Sequence, residues 1–485
     1  MNHAFVFKLT GTALKALAAF LIAPLVVSII ARDGGYAAFV PSMLSAAAVG
    51  FPLSELSVKR GAFRARDAFA AAALSWILFS LFGALPFYFS GCFGSFSDCL
   101  FESVSGFTTT GATVLTDVET LPRGLQFWRC FTQWLGGVGV LIFMIAILPE
   151  TNASSVNLFR VEATGPAPDR LAARVRTTAR VLYLIYLIIT AAAFVAFLAA
   201  GVPAYDAFLH ALTTAGTGGF SPNNSGPRAY GNAAQVVAAV FMLLSGINFS
   251  VYFHLFTGNF KRALRNEELR LYLIFSAAAA VTLAINSRGA YGSVSEAIRA
   301  SAYDAASAVS TSGFPVTSAG VAPAFSRFVL MFLMFAGACS GSTGGGVKFA
   351  RLLVLAKAVR IEIDKIIHPK SVKAVTVDGG SAERGLVTGI ALFFVVYFAF
   401  LFAAAALVSL DCKDVGRSFS AVFAALSNTG IDLTTGAAGA VGAAGAAFNP
   451  FSKLALCVCM LAGRLEFYPV MILFIPTIWK RGTLA

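Results

Sequence analysis

Charged residues are scarce in this chain. At 12% of 485 residues they are too few to cover the exterior of a water-soluble protein, and 58% of the residues are hydrophobic. Most of the surface must therefore face something other than water, which excludes a string of soluble domains. Histidine is scarcer still, with four in the whole chain. No HExxH, GxSxG or P-loop pattern sits in a suitable place. With no nucleophile–base pair or metal set converging in the apolar runs, the chain is read as no enzyme and as needing no cofactor of its own. The seven cysteines include no CxxC and no Cys/His cluster. Cys130, Cys339, Cys457 and Cys459 lie in or beside apolar runs and read as packing residues. Cys92 and Cys99 could pair on the outer side.

What is present in abundance is apolar sequence in long runs. A bilayer core of roughly 30 Å needs about 20 apolar residues in a helix. The runs at Leu9–Ile30, Tyr36–Leu56, Ala68–Phe89, Gln126–Leu148, Val181–Gly201, Gln235–Phe256, Leu271–Ile285, Arg327–Gly341, Leu386–Leu410 and Phe451–Trp479 are candidate spans. They are too continuously apolar for barrel strands, which alternate over roughly ten residues. The last run is longer than one span and contains Arg464 and Glu466, so a bend or a polar-lined segment is expected there. The first run is followed by Arg32 and Asp33 rather than a small-residue cleavage site, and reads as a helix kept in the protein.

The charges that exist are sorted. Lys59, Arg60, Arg64 and Arg66 lie between the second and third runs, and Arg160, Arg170, Arg174, Arg176 and Arg180 between the fourth and fifth. Lys261, Arg262, Arg265 and Arg270 follow the sixth. Lys348, Arg351, Lys357, Arg360, Lys365, Lys370 and Lys373 follow the eighth, and Lys480 and Arg481 end the chain. These alternate loops share one side, which the positive-inside rule makes cytoplasmic. The net charge of +13 is thus topological, with contact to anionic membrane lipid and no call for nucleic acid. The opposite loops carry Asp98, Glu102, Asp117, Glu119 and Asp411, acid that would attract cations.

Between the runs, four segments align without gaps: FESVSGFTTTG at 101–111, LHALTTAGTGG at 209–219, YDAASAVSTSG at 303–313 and SAVFAALSNTG at 420–430. Each begins as a short helix-compatible stretch and ends in hydroxyl- or amide-bearing residues before a glycine. One such Ser/Thr/Gly run would be an ordinary turn. Four at matching places between spans define a unit of helix, half-helix, glycine loop and helix. Irregular backbone at membrane depth is tolerated where it lines a water-filled path or is buried in protein. There a ring of carbonyl oxygens can replace an ion's hydration shell. Glycine turns its own and neighbouring carbonyls towards the axis without a Cβ clash. Thr109, Thr217, Thr311 and Asn428 can add oxygen ligands or brace the loops. The half-helices end at the loops, so their negative C-terminal ends can face a cation.

These segments resemble the degenerate single-glycine filters of the Trk/Ktr/HKT superfamily of potassium transporters, specifically its TrkH branch. Further matches are GGVGVLIFMI at 136–145, GFSP at 219–222, GINF at 246–249, GACSGSTGGGVK at 337–348 and GRLEFYP at 463–469, so the resemblance covers essentially the whole chain. It implies an all-α polytopic membrane protein in which four helix–pore-loop–helix repeats surround a central pore, preceded by two extra transmembrane helices. The expected divisions are 1–57 for the two N-terminal helices, then 58–150, 151–266, 267–376 and 377–485 for the repeats. It further implies potassium uptake through a selective gated pore. The K⁺ filter would be formed at Thr109, Thr110 and Gly111; Thr217, Gly218 and Gly219; Thr311, Ser312 and Gly313; and Asn428, Thr429 and Gly430. Glycine at all four positions resembles the potassium-selective members, whereas Asn428 and the extra Gly218 depart from the family pattern. The implied partners are a cytosolic TrkA-type nucleotide-binding regulator and a second copy in a homodimer. The implied location is the plasma membrane, a bacterial inner membrane, with the basic loops cytoplasmic.

The remaining signals concern gating. Gly341, Ser342, Thr343, Gly344, Gly345 and Gly346 precede Lys348. Four glycines in six residues weaken a helix. They read either as a flexible end of a span or as an intramembrane loop below the filter, which the resemblance implies would obstruct the path and move on gating. Arg464 must find acceptors, because an unpaired charge in a span costs roughly 2.5–3.5 kcal/mol even on the lenient scale. It either faces the pore and bonds the glycine-loop carbonyls or joins a salt bridge to another span. Glu102, His210 and Asp304 occupy equivalent half-helix positions and read as braces rather than a proton relay. Four repeats in one orientation favour a central pore over inverted halves. Symport coupled to H⁺ or Na⁺ stays open as the alternative.

Overall fold

The structure is a computed structural model that describes residues 1–57, 65–139, 175–316, 323–371, 373–381, 384–434 and 448–479. Among these, Lys59, Arg60, Arg64, Arg160, Arg170, Arg174, Lys480 and Arg481 of the basic clusters do not appear, nor does the run beyond Gly139; these expectations lie outside the described residues.

The chain opens with a hairpin. Helices α1 (His3–Phe20) and α2 (Ile22–Ala31) form one bent span, and α3 (Tyr36–Ser54) returns against α1. Small residues let the backbones approach: a β-carbon on Gly11 would lie 2.5 Å from the Leu53 side chain and one on Gly50 3.0 Å from that of Leu14. The hairpin leans on the first repeat, α1 against α4 (Ala65–Gly83) and α2 against α7 (Arg123–Val138). Asp33 in its turn accepts a hydrogen bond from the Gly124 N–H at 2.8 Å, at the start of α7. Between α4 and α7 run α5 (Leu85–Ser90) and the short α6 (Phe96–Phe107).

The same plan recurs three times. A long outer helix is followed by a short inner one, with α8 (Val175–Ala199) and α9 (Ala204–Ala215) in the second repeat. After α10 (Asn232–Ser245), α11 (Phe249–Phe256) and α12 (Phe260–Arg265), the third repeat has α13 (Glu267–Asn286), α14 (Val294–Val309) and α15 (Ala324–Ala336). Helix α16 (Phe349–Ile367) and a two-residue hairpin at Thr376–Val377 and Gly380–Ser381 lead to the fourth. It comprises α17 (Arg384–Ser409), α18 (Val415–Leu426), α19 (Pro450–Arg464), α20 (Tyr468–Leu473) and α21 (Pro476–Trp479). The inner helices start on side-chain caps where the sequence supplies them: Ser95 accepts from the Asp98 N–H, Ser293 from Glu296 and Asp414 from Gly416. At 12 residues, α6, α9 and α18 are about 18 Å long, half of what a crossing needs.

Each repeat's second helix packs on the next repeat's inner helix: α7 on α9, α10 on α14 and α19 back on α6. Phe335 of α15 meets Phe423 of α18 with ring centroids 6.4 Å apart. The repeats therefore close into a ring. Burial runs opposite to that of a soluble protein. Glu102, Arg129, His210 and Asp304 are buried, while Ile30, Ile274, Val281, Ile285, Val395 and Phe402 are exposed on the outside. Such a surface suits hydrocarbon, and among the described residues six helices are long and apolar enough to cross a membrane, or seven with one bent pair counted as a span. This is a multi-pass membrane protein.

The second helices of the first three repeats differ from the uninterrupted spans expected, whereas the last run is interrupted near Arg464 and Glu466, where the sequence predicts a bend. The run Gln235–Phe256 is two helices meeting at 90°, because Gly246 ends the first and the Asn248 side chain caps the second by accepting from the Ser250 N–H at 2.8 Å. The run Arg327–Gly341 is helical only to Ala336, and residues 337–348 are irregular. The last run breaks after Arg464 at Glu466 and Phe467, both with positive φ, and α7 ends before Gly139, whose φ is 83°. Cys92 and Cys99 are both free thiols.

Candidate ion pathway

Each inner helix runs straight into its glycine loop with the same backbone turn. Thr109, Thr217, Thr311 and Asn428 have φ of 56°, 51°, 58° and 51°, and Gly111, Gly219, Gly313 and Gly430, two residues on, have φ of 79°, 81°, 72° and 65°. The first of these positions is the left-handed residue that ends a helix, a place usually given to glycine. In loop 1 the Thr109 N–H bonds the Gly106 carbonyl at 3.0 Å and the Thr110 N–H the Ser105 carbonyl at 2.9 Å. Loops 2 and 4 repeat the pair, Thr217 to Thr214 with Gly218 to Thr213, and Asn428 to Ala425 with Thr429 to Ala424. A β-branched threonine in this conformation is an outlier, at a cost of about 1–2 kcal/mol. The same strain repeated in three loops marks a functional constraint.

The glycines are there because the loops touch. A β-carbon on Gly111 would overlap the carbonyl oxygen of Gly218, one on Gly219 that of Ser312, one on Gly313 that of Thr429, and one on Gly430 that of Thr110. The contacts run from loop 1 to 2, 2 to 3, 3 to 4 and 4 back to 1. The Thr110 oxygen would also lie 3.3 Å from a β-carbon on Gly313 in the opposite loop, so the carbonyls converge on a common axis. Thr109, Thr110, Thr217, Thr311, Ser312, Asn428 and Thr429 are all completely buried. A ring of carbonyl oxygens at the negative ends of four helices has the chemistry to coordinate a cation.

Under this ring the four helix breaks meet. Segment 337–348 lies against the ends of α14 and α18: a β-carbon on Gly344 would be 2.7 Å from the Ser310 carbonyl and one on Gly345 2.5 Å from that of Ser427. The Gly345 N–H donates to Thr311 Oγ1 at 2.6 Å, which ties the segment to glycine loop 3. Gly341 (φ 67°) and Gly346 (φ 75°) make its turns, and Ser342 Oγ closes one by donating to the Cys339 carbonyl at 2.6 Å. Thr343 Oγ1 donates to the Ser245 carbonyl at 3.1 Å, and the Phe249 N–H to the Gly341 carbonyl at 3.1 Å, across the break in repeat 2. Lys348 Nζ, itself buried, donates to the Gly344 carbonyl. Arg464 donates to the carbonyls of Thr343 at 2.7 Å, Gly136 at 2.5 Å and Gly137 at 2.9 Å, so one guanidinium joins segment 337–348 to the end of α7. Glu466 pairs with Arg351 at the start of α16.

Around the path stand Glu102, His210, Asp304 and Asn428, expected from the sequence as braces, together with Glu268, Arg129 and Gln133, which the sequence does not single out. Glu268 Oε1 accepts from the N–H groups of Ser340 at 2.6 Å and Ala350 at 3.0 Å, one near each end of the irregular segment. Arg129 forms a fully buried pair with Glu102 at 2.6 Å and stacks on Phe220, 4.1 Å from its ring centre. Glu102 in turn accepts from the Thr113 hydroxyl at 2.9 Å and the Val114 N–H at 3.2 Å, bracing loop 1 from behind. Gln133 reaches loop 2, its Nε2 donating to the Gly218 carbonyl at 2.6 Å and its Oε1 accepting from the Phe220 N–H at 2.9 Å. His210 is wedged among the rings of Phe197, Tyr230 and Phe314 at 5.6–6.0 Å, and Asp304 is buried one repeat on. Asn428 Nδ2 donates to Thr110 Oγ1 at 3.1 Å and the Met460 carbonyl at 2.9 Å, joining loops 4 and 1.

Known proteins share this arrangement over the full length. The family model TrkH, described as a cation transport protein, matches residues 36–481. The Trk system potassium uptake protein TrkH of Escherichia coli is 32% identical over 99% of this chain and 100% of its own. TrkH of Halomonas elongata is 32% identical with the same coverage, and the E. coli protein TrkG is 32% identical over 86% of each chain. The crystal structure of the potassium transporter TrkH from Vibrio parahaemolyticus superposes with a TM-score of 0.88 at 30% identity, covering 99% of this chain and 100% of that one.

Proposed function

From the premise that this chain belongs to the TrkH family of cation transport proteins, we propose that it is the membrane subunit through which potassium enters the cell. The ion passes the ring made by Thr109–Gly111, Thr217–Gly219, Thr311–Gly313 and Asn428–Gly430. The observation that carries this reading is the closed cycle of glycine-to-carbonyl contacts among the four loops. A dehydrated cation needs oxygens from several directions at once, and only the four loops together provide them. The electrical gradient of a negatively polarised cell then drives K⁺ inward.

Segment 337–348 is the gate. It sits under the ring on a lattice of single hydrogen bonds that a small movement exchanges, with glycines and no helix to resist it. Arg464 holds it shut and places a positive charge at the path. The basic loops, Arg262 and Lys357 among them, face the cytoplasm of a bacterial cell whose inner membrane houses the protein. There they meet a TrkA-like nucleotide-binding regulatory subunit, and the membrane subunit itself is a homodimer.

The deciding experiment is cation flux into proteoliposomes containing this chain alone, with K⁺ and Na⁺ compared in the wild type and in Gly111→Ser. The serine β-carbon displaces the Gly218 carbonyl, so K⁺ flux should exceed Na⁺ flux in the wild type and lose that preference in the variant. Equal preference in the two proteins would remove the ring from the ion path.

A further inference from the structure

Glycine loop 2 is built differently from the other three. In loops 1, 3 and 4 the residues three and one before the filter glycine both carry hydroxyls, and these bond each other. Thr108 and Thr110 do so at 2.8 Å, Ser310 and Ser312 at 2.8 Å, and Ser427 and Thr429 at 3.1 Å. The bond is internal to each loop and fixes the peptide that offers its carbonyl to the ring. Loop 2 has glycine at both places, Gly216 and Gly218. Neither needs glycine for its own backbone, since Gly216 has φ −72° and Gly218 is absent from the positive-φ residues. The missing side chains make room. A β-carbon on Gly218 would collide with Cδ, Oε1 and Cγ of Gln133, and one on Gly216 would lie 2.7 Å from the Gln133 carbonyl.

The carboxamide of Gln133 fills that space completely buried. Its orientation follows from its partners. The Phe220 N–H can only donate, so it takes Oε1, and Nε2 is left to donate to the Gly218 carbonyl. That carbonyl is the one that meets Gly111 in the ring. A carbonyl oxygen has two lone pairs; the amide engages one and leaves the other for an ion.

We propose that Gln133 is a specificity-setting residue of the ion path. Its side chain, lent by repeat 1, replaces in loop 2 the internal hydroxyl pair of the other loops and holds the Gly218 carbonyl at coordinating distance. This rests on the filter reading above and assigns the non-glycine partner that the glycine pair of loop 2 requires. It also makes ligand strength unequal around the ring, because among the described residues loop 2 alone presents a carbonyl hydrogen-bonded by a side-chain amide.

The test uses the full chain in proteoliposomes, with K⁺ and Na⁺ flux measured for Gln133→Leu, Gln133→Met, Gly218→Ser and the double variant Gln133→Ala/Gly218→Ser, and with Gly111→Ser alongside. Met matches glutamine in length and volume, and keeps the test available should the leucine variant not yield dispersed protein. The K⁺-to-Na⁺ flux ratio should fall several-fold in Gln133→Met and in Gly218→Ser, and recover at least in part in the double variant, where the serine hydroxyl enters the vacated space. A purely structural brace would lower the yield or thermal stability of the protein without moving the ratio. An unchanged ratio in dispersed Gln133→Met, with the ratio lost in Gly111→Ser, overturns the assignment of Gln133 and leaves the filter standing. An unchanged ratio in both overturns the filter reading as well.

Discussion

Arg464→Ala is the most informative single change. The guanidinium makes three charge-assisted bonds to carbonyls, two on the end of α7 at Gly136 and Gly137 and one on Thr343 of the irregular segment. Hydrogen bonds to charged groups contribute about 1.5–3 kcal/mol each. Of these bonds the one to Thr343 restrains the segment, and one such bond corresponds to about a tenfold to hundredfold shift of its equilibrium away from the path. The segment keeps its bond from Lys348 to Gly344 and its bond to Thr311, so it is loosened rather than lost. Removing the charge also lowers the barrier met by a cation. At an effective dielectric of 20 that repulsion is about 4 kcal/mol at 4 Å and falls off with distance. Initial K⁺ flux into proteoliposomes should rise at least tenfold, with the K⁺-to-Na⁺ ratio preserved because the ring above is untouched. Arg464→Lys separates the two effects, since it keeps the charge and cannot span Thr343 and α7 with a planar fork. Flux intermediate between wild type and alanine is expected. Unchanged flux in dispersed, folded Arg464→Ala would refute the reasoning and leave Arg464 a structural clamp.

Two further outcomes follow from the braces around the path. Glu102→Ala leaves Arg129 buried without its carboxylate, and breaking a buried pair in this way costs about 3–5 kcal/mol; thermal unfolding in detergent should show a clear loss, smaller in Glu102→Leu/Arg129→Leu than in either single variant. Asp33 ties the N-terminal hairpin to α7. Burial pushes its carboxyl up, but hydrogen bonds from Ser28, Gly124 and Gly35 together outweigh this and hold it below the ordinary carboxylate value. A lowered folded pKa contributes stability that is present above about pH 4 and disappears as pH falls through the still lower folded value. Wild type should therefore unfold later than Asp33→Asn at pH 7, by about 1 kcal/mol, the difference between hydrogen bonds to a charged and to a neutral acceptor, and this advantage should vanish on acidification below pH 4. A constant difference across that range would exclude the carboxylate as its source.

The ring was legible in the sequence because its requirement is local and repeated. Each filter glycine stands where any side chain would strike the next loop's carbonyl, so glycine recurs at Gly111, Gly219, Gly313 and Gly430 with the same neighbours. The apolar runs were legible because hydrocarbon selects composition directly. The breaks at 341–346 and near Arg464 left a trace in glycine and charge, but the one at Gly246 was hidden inside its run. Gly246 and Asn248 interrupt a span of otherwise unbroken hydrophobicity, and hydropathy does not register a cap. Arg464 announced itself as a charge inside an apolar run, whereas its acceptors at Thr343 and Gly136 lie 121 and 328 residues away. Gln133 gave no signal at all. A glutamine in a span has many uses, and only the empty Cβ positions of Gly216 and Gly218, 85 residues on from it in the second case, show what it is for.

The division between legible and hidden follows the division of labour in the molecule. Coordination needs like groups from all four sides, so the ring must be built four times and leaves a periodic trace. Obstruction needs only one element in the way. Repeat 3 supplies the irregular segment 337–348, repeat 4 the arginine that bonds it, and repeat 1 the carbonyls that anchor that arginine. Such unique parts escape any search for repetition. They are also free to change without disturbing the ring, which is why the Arg464 variants are expected to alter how much cation passes and the Gln133 variants which cation.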